Sequence, residues 1–339
     1  MKILLASWVD AGGAPRSTVE LARRLAGRGH EVGVLLGAGS ATGPTYQTLV
    51  KAAIKIRQGT GVTWPRMILR AFGARGPAGA LEGGVSVWRR GLAENALRAL
   101  LHDFGPEVVV ANSFPREQMR WVLEDVRAEG IPLGLYMREE HSITHLTMSR
   151  LPFDFVVANS EHLASAAIAA GYPCSCVPSV VDLSDAVVET GRRELVLVNP
   201  VEENRPEILR EFAAQRPDIP CVLQESWLLP AGWRDELERW VGEIPNLLLR
   251  KPVPTPAEVY REARLLVAPY GTGRPRVVLE AQYNGIPVVA ADQPALREVV
   301  GAGGAFVPLD GRIDEWIQSI TRVWDDSRYY DQLSELARL

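Results

Sequence analysis

One stretch, Val267 to Ala290 with the sequence VAPYGTGRPRVVLEAQYNGIPVVA, limits what this chain can fold into more than any other. An apolar strand over Leu265 to Pro269 runs into a Gly-rich turn. A short helix follows, opened by Pro275 and closed by Gly285, and then a second apolar strand from Ile286 to Ala290. Pro275 suits the first helical turn, where its missing N–H would have no partner anyway, and Gly285 suits a left-handed cap at the far end. The turn then aims unpaired N–H groups at whatever lies above it. A helix N-terminus carries roughly half a positive charge and binds phosphate readily. Arg274 and Arg276 stand beside it, and Glu280, one turn further in, is placed to accept hydrogen bonds from a ribose whose phosphates rest on the turn. Anion donors followed by one carboxylate describe a nucleotide site.

The chain around this stretch has 339 residues, more than one core usually fills, so two domains are expected. A formal charge of -4 at pH 7 gives no general drive toward nucleic acid or anionic membrane. Charge is unevenly spread, however: between Lys51 and Arg98 nine basic residues accompany only Glu82 and Glu94. Of the three cysteines, Cys174 and Cys176 are too close for an easy disulfide, and no second ligand pair for zinc accompanies them. Inert thiols of a reducing cytoplasm are the expectation. No signal peptide is read before the first strand, and no apolar run approaches the ~20 residues of a membrane span. A cytoplasmic protein with at most peripheral membrane contact follows.

Apolar runs place buried strands at Lys2 to Val9 and Glu31 to Leu36, with a Gly-rich loop and a helix capped by Ser17 between them. This is the start of a doubly wound parallel sheet, although the GGAP loop lacks the spacing of a full dinucleotide fingerprint. Gly37 to Gly105 reads as the least regular part and holds the basic excess with Trp64 and Trp88. Further strands are expected at Glu107 to Ala111, Ile131 to Met137 and Phe153 to Ala158, and the polar segment Ser184 to Arg193 reads as a linker. Strands and helices then alternate from Glu194 to the opening stretch, and two helices, Asp314 to Trp324 and Ser327 to Arg338, close the chain.

Three segments, GGAPRSTVELARRLAGRGHEV, VVANSEHLASAAIAAGYP and the opening stretch, occur in order at spacings that resemble the GT-B glycosyltransferases, in particular the large retaining family 4, glycosyl transferases group 1. The resemblance implies an α/β GT-B fold of two Rossmann-like doubly wound domains facing across a cleft. Residues 1–182 would bind the acceptor and residues 183–322 the nucleotide sugar, with residues 323–339 returning toward the first domain. It assigns Glu280 to the ribose, places Gly273, Arg274 and Arg276 by the diphosphate, and brings Gly12 and Gly13 toward it from across the cleft.

Three positions depart from the family pattern. The glutamate eight residues before Glu280 is replaced by Thr272, a hydroxyl that can bond a sugar without charge. Where Arg and Lys are usual after the first strand of the second domain, Asn204 and Arg205 stand, and the planar fork of Arg205 can clamp phosphate oxygens; Arg250 and Lys251 are further candidates. Asn112 occupies the place of a common histidine and cannot gain charge near neutral pH. Downstream, the stretch YMREEHSITHL brings Arg138, Glu139, Glu140, His141 and His145 just past a strand end, where sites form in such folds, and Glu139 or His141 is expected to touch substrate. The implied reaction is retaining and metal-independent: turn N–H groups and guanidiniums stabilise a leaving diphosphate, which takes the acceptor proton. The acceptor would be a saccharide, a natural product or a lipid-linked sugar, and the basic stretch either meets it or is a solvated face. A GT-B nucleotide-sugar epimerase and a non-catalytic homologue that binds a nucleotide sugar are the alternative readings.

Overall fold

The structure is a computed structural model that describes residues 1–8, 12–37, 79–90, 93–112, 114–148, 150–226, 229–270 and 273–338. Thr272, Trp64 and most of the basic stretch lie outside the described residues. The chain divides into two compact units, Met1–Val181 and Asp182–Leu339.

The first unit is built on an eight-stranded sheet. Its elements are β1 (Lys2–Ser7), α1 (Gly13–Ala26), β2 (Glu31–Gly37), β3 (Ala80–Glu82), β4 (Val85–Arg90), α2 (Ala93–Phe104), β5 (Val108–Asn112), α3 (Arg116–Ala128), β6 (Leu133–Met137), α4 (Ile143–Thr147), β7 (Phe155–Ala158), α5 (Glu161–Ala169) and β8 (Cys174–Cys176). The strand order is β3-β4-β2-β1-β5-β6-β7-β8, parallel throughout except for the β3–β4 hairpin. Buried on both faces, the central strands read as continuous apolar runs. The order reverses between β1 and β5, whose last residues, Ser7 and Asn112, are register partners.

The region expected to be irregular therefore contains an ordered hairpin and helix. In β4 the alternate residues Val85 and Val87 are buried. In α2, Ala93, Ala96, Leu97, Leu100 and Leu101 fall at helical spacing and are all buried. Trp88 packs edge-on against Phe104, ring centroids 5.5 Å apart. A β-carbon on Gly33 of β2 would come within 2.6 Å of the Trp88 ring, so this contact requires a glycine there.

The second unit comprises β9 (Glu194–Val198), α6 (Glu207–Gln215), β10 (Cys221–Gln224), α7 (Ala231–Glu243), β11 (Leu247–Arg250), α8 (Pro256–Tyr260), β12 (Ala263–Ala268), α9 (Arg276–Tyr283), β13 (Val288–Ala291), α10 (Pro294–Val300), β14 (Gly304–Val307), α11 (Ile313–Asp325) and α12 (Ser327–Ala337). Six parallel strands run in the order β11-β10-β9-β12-β13-β14, so the direction of winding switches between β9 and β12. Ligands of open α/β sheets bind outside the carboxyl ends of strands at such a switch. The segment read as a linker is laid onto this unit: Asn284 donates to the Ala186 carbonyl at 2.7 Å and accepts from the Val188 N–H at 2.8 Å. The last helix has Tyr330 and Leu333 in the core of the second unit. Its Ser334 hydroxyl donates to the Gly285 carbonyl at 2.6 Å. No helix among the described residues is long and apolar enough to cross a membrane.

Candidate functional site

The turn after β12 stands at the switch point of the second unit. The Tyr270 hydroxyl, buried, donates to the carbonyl of Val198, the last residue of β9, at 2.9 Å and ties the two diverging strands together. Gly273 follows with φ 75°, a left-handed conformation that a side chain would strain. Pro275 is the residue before the first turn of α9 and supplies no side-chain cap, so among the described residues the leading N–H groups of that helix have no side-chain partner. Arg274 is half-buried beside it.

Four residues into the helix lies a buried charge cluster. Arg276 and Glu280 pair across one helical turn, Nε to Oε1 2.6 Å, with side chains 8 % and 6 % exposed. The second oxygen of Glu280 stands 3.0 Å from the Tyr260 hydroxyl, which is also 3.1 Å from the Val277 carbonyl. Burial, and after it the charge of Glu280, push the Tyr260 pKa well up, so this hydroxyl remains a donor. Arg276 also donates to the Asp182 carbonyl at 3.0 Å. The Arg276 guanidinium thus holds Glu280 and the chain entering the unit.

Arg205 is likewise occupied. It lies at φ 50° in the loop after β9, and its fork donates to the carbonyls of Leu309 at 2.8 Å and Gly311 at 3.0 Å, with Glu207 3.4 Å from its Nε. The planar geometry that suits phosphate suits two backbone oxygens equally well. Arg250 is paired with Glu194 at 2.5 Å.

In the first unit, Gly12 (φ 96°) and Gly13 lead into α1, whose N-terminus has no side-chain cap. Asn112 is buried at the end of β5 and donates to the Ala6 carbonyl at 3.3 Å; its own carbonyl oxygen has no hydrogen-bond partner among the described residues. Glu139 and His141 stand together past β6, 3.9 Å apart, with His141 half exposed. His141 also packs edge-on against His145, ring centroids 6.1 Å apart. His145 is the buried histidine of this stretch: its Nε2 lies 3.0 Å from the Phe114 carbonyl, and burial pushes its pKa down to about 4.

Arg138 is 4 % exposed. It donates from Nη1 to the Ala14 carbonyl at 2.9 Å and lies over the Tyr136 ring, 4.4 Å from the centroid, while Nε and Nη2 have no hydrogen-bond partner among the described residues. A basic residue directly after an apolar strand was the signal that could have singled it out. Among the described residues no group of three or more His, Cys, Asp or Glu could hold a metal ion.

Residues 216–326 match the family model of glycosyl transferases group 1. No curated protein matches the chain. Among solved structures it is similar to Anabaena Alr3699/HepE in complex with UDP and glucose, at 17% identity and a TM-score of 0.68, covering 100% of this chain and 94% of that one. It is also similar to a glycosyltransferase from Rickettsia africae, at 10% identity and a TM-score of 0.66, covering 99% and 92%. The UDP-GlcNAc 2-epimerase from Neisseria meningitidis, bound to UDP-GlcNAc, is similar at 15% identity and a TM-score of 0.61, covering 98% and 94%. Residues 216–326 thus resemble the glycosyl transferases of group 1, and the chain as a whole shares the GT-B fold of these solved structures.

Proposed function

We propose that the protein transfers a sugar, with retention and without a metal ion, from a nucleotide-diphosphate sugar held by the second unit to a hydroxyl of a saccharide, natural product or lipid-linked acceptor held by the first. The observation that carries this reading is the uncapped turn at Gly273 to Pro275, at the switch point of β9 and β12, with the buried carboxylate of Glu280 one turn behind it.

The chemical difficulty is the charge that gathers on the diphosphate as its bond to the sugar breaks. Preorganised N–H groups of the first turn of α9, with Arg274 beside them, meet that charge without reorganising, and the leaving oxygen can take the acceptor proton. Glu280 addresses the ribose. Arg276 and Tyr260 hold its carboxylate in one orientation, so a ribose hydroxyl meets a fixed acceptor. HepE bound to UDP and glucose supports a uridine nucleotide as the first to test.

The test is calorimetric titration with a panel of nucleoside diphosphates, followed by turnover of the matching nucleotide sugars in EDTA and anomeric analysis of the product by NMR. Binding of none of the nucleotides sinks the donor site, and an inverted product or turnover that stops in EDTA corrects the mechanism. The likeness to UDP-GlcNAc 2-epimerase, with the Glu139–His141 pair at a strand end, favours epimerisation as a second reading. Donor recovered with one inverted sugar centre in the absence of acceptor would establish it.

A further inference from the structure

We propose that the first unit contains an oxyanion site, in which the Nε–Nη2 edge of Arg138, beside the N-terminal turn of α1, takes a carboxylate or phosphate group of the acceptor. This rests on the reading of the first unit as the acceptor side.

Three observations converge. Nη1 of Arg138 is spent on the Ala14 carbonyl in the first turn of α1, and the two nitrogens left without partners, Nε and Nη2, are those of the side-on edge of the guanidinium. Two parallel N–H groups on one edge match the paired oxygens of a carboxylate or phosphate, and no single carbonyl or hydroxyl can use both. The helix against which this guanidinium rests opens at Gly12 with no side-chain cap among the described residues, so its positive end adds to the same field. Around it, Ser7 Oγ and Asn112 Oδ1 are also buried without a hydrogen-bond partner among the described residues, each at the carboxyl end of a strand of the same sheet. Such atoms are rarely left unmatched inside a protein, and they are concentrated where ligands of this topology bind. Of the acids whose charge reaches Arg138, Glu20 is ion-paired with Arg16 at 3.8 Å, and Glu139 stands by His141.

The experiment titrates the full chain with inorganic phosphate and, separately, with glucuronate, both with and without saturating UDP. Phosphate or glucuronate should bind in the presence of UDP, and the arm that binds more tightly identifies the oxyanion. Arg138→Lys keeps the charge but loses the paired N–H edge, and should weaken that affinity about tenfold or more while UDP affinity is unchanged. Wild-type protein that binds neither anion, or an Arg138→Lys variant that binds with wild-type affinity, overturns the proposal. An equal loss of UDP affinity also overturns it, because Arg138 then serves the donor. Should the variant fail to fold, the rise in Tm of UDP-saturated wild-type protein with phosphate or glucuronate, against matched chloride, decides: a rise supports the site and none overturns it. If UDP itself does not bind, the arms without nucleotide still read Arg138, so failure of the donor site and failure of this one remain distinct.

Discussion

At the carboxyl edge of the second sheet, both oxygens of Glu280 are engaged, by Arg276 and by Tyr260, and Arg205 and Arg250 are also paired. At the same edge of the first sheet, Ser7, Asn112, Arg138 and His145 each keep a buried polar atom without a hydrogen-bond partner among the described residues, as Asn199 does just past β9 of the second. Both edges lie at a reversal of strand order in a doubly wound sheet, so topology does not account for the difference. A buried polar group left unmatched costs about 1–3 kcal/mol. The second unit has its charged groups set by the fold before a ligand arrives. The first carries that cost at Ser7, Asn112, Arg138 and His145.

The strongest way to break this contrast is Glu280→Ala. It leaves Arg276 buried with its main partner gone, and should lower the unfolding free energy by about 3 kcal/mol in urea denaturation. The same variant should weaken nucleotide binding about tenfold or more by calorimetry. Wild-type affinity in a folded variant would remove Glu280 from the site. Next in size is a pH effect in the first unit. His145 has its folded pKa at about 4, below the unfolded value near 6.5, so the unfolded state binds the extra proton between these values. Stability is therefore full above about pH 6.5 and falls by up to about 1.4 kcal/mol per pH unit toward pH 4, and His145→Gln should remove that part of the slope.

Arg205→Ala sharpens the comparison. Losing two charge-assisted bonds at a partly exposed position should cost about 1.5 kcal/mol, with nucleotide affinity unchanged. A tenfold weaker nucleotide in this variant would return Arg205 to the phosphate role expected from its place in the chain. The smallest effect is expected for Ser7→Ala, which removes a buried hydroxyl that has no partner. Its unfolding free energy from urea denaturation should fall by less than about 0.5 kcal/mol, or rise.

How much of this was legible in the chain depended on the distance over which each interaction acts. The strand, turn and helix around Gly273 were readable because proline, glycine and apolar runs act locally. The Arg276–Glu280 pair was readable in principle, since the two residues stand four apart on a helix and i,i+4 charges meet. The partners of Arg205 at Leu309 and Gly311 lie more than a hundred positions away and leave no trace near it. In Arg138–Glu139–His141 the exposed and familiar acid–base types drew attention, whereas burial, which the chain does not print, distinguishes Arg138 and His145. Helix α2 was missed for another reason. Its spacing was plain, but the Gly-rich and Arg-rich sequence before it suggested that irregularity continued.

The seat of the last helix has a mechanical consequence. Ser334 bonds the carbonyl of Gly285, the residue that ends the turn after α9, and a β-carbon on Gly303 would stand 2.5 Å from the Cα of Ala337. The helix whose leading end faces the turn and whose body carries Glu280 is therefore pinned at its trailing end by the final residues of the chain, like a beam fixed at its rear support. A single proteolytic nick between α11 and α12, near Asp326, would loosen that support and be felt as lost nucleotide affinity, although no bond near the turn is cut.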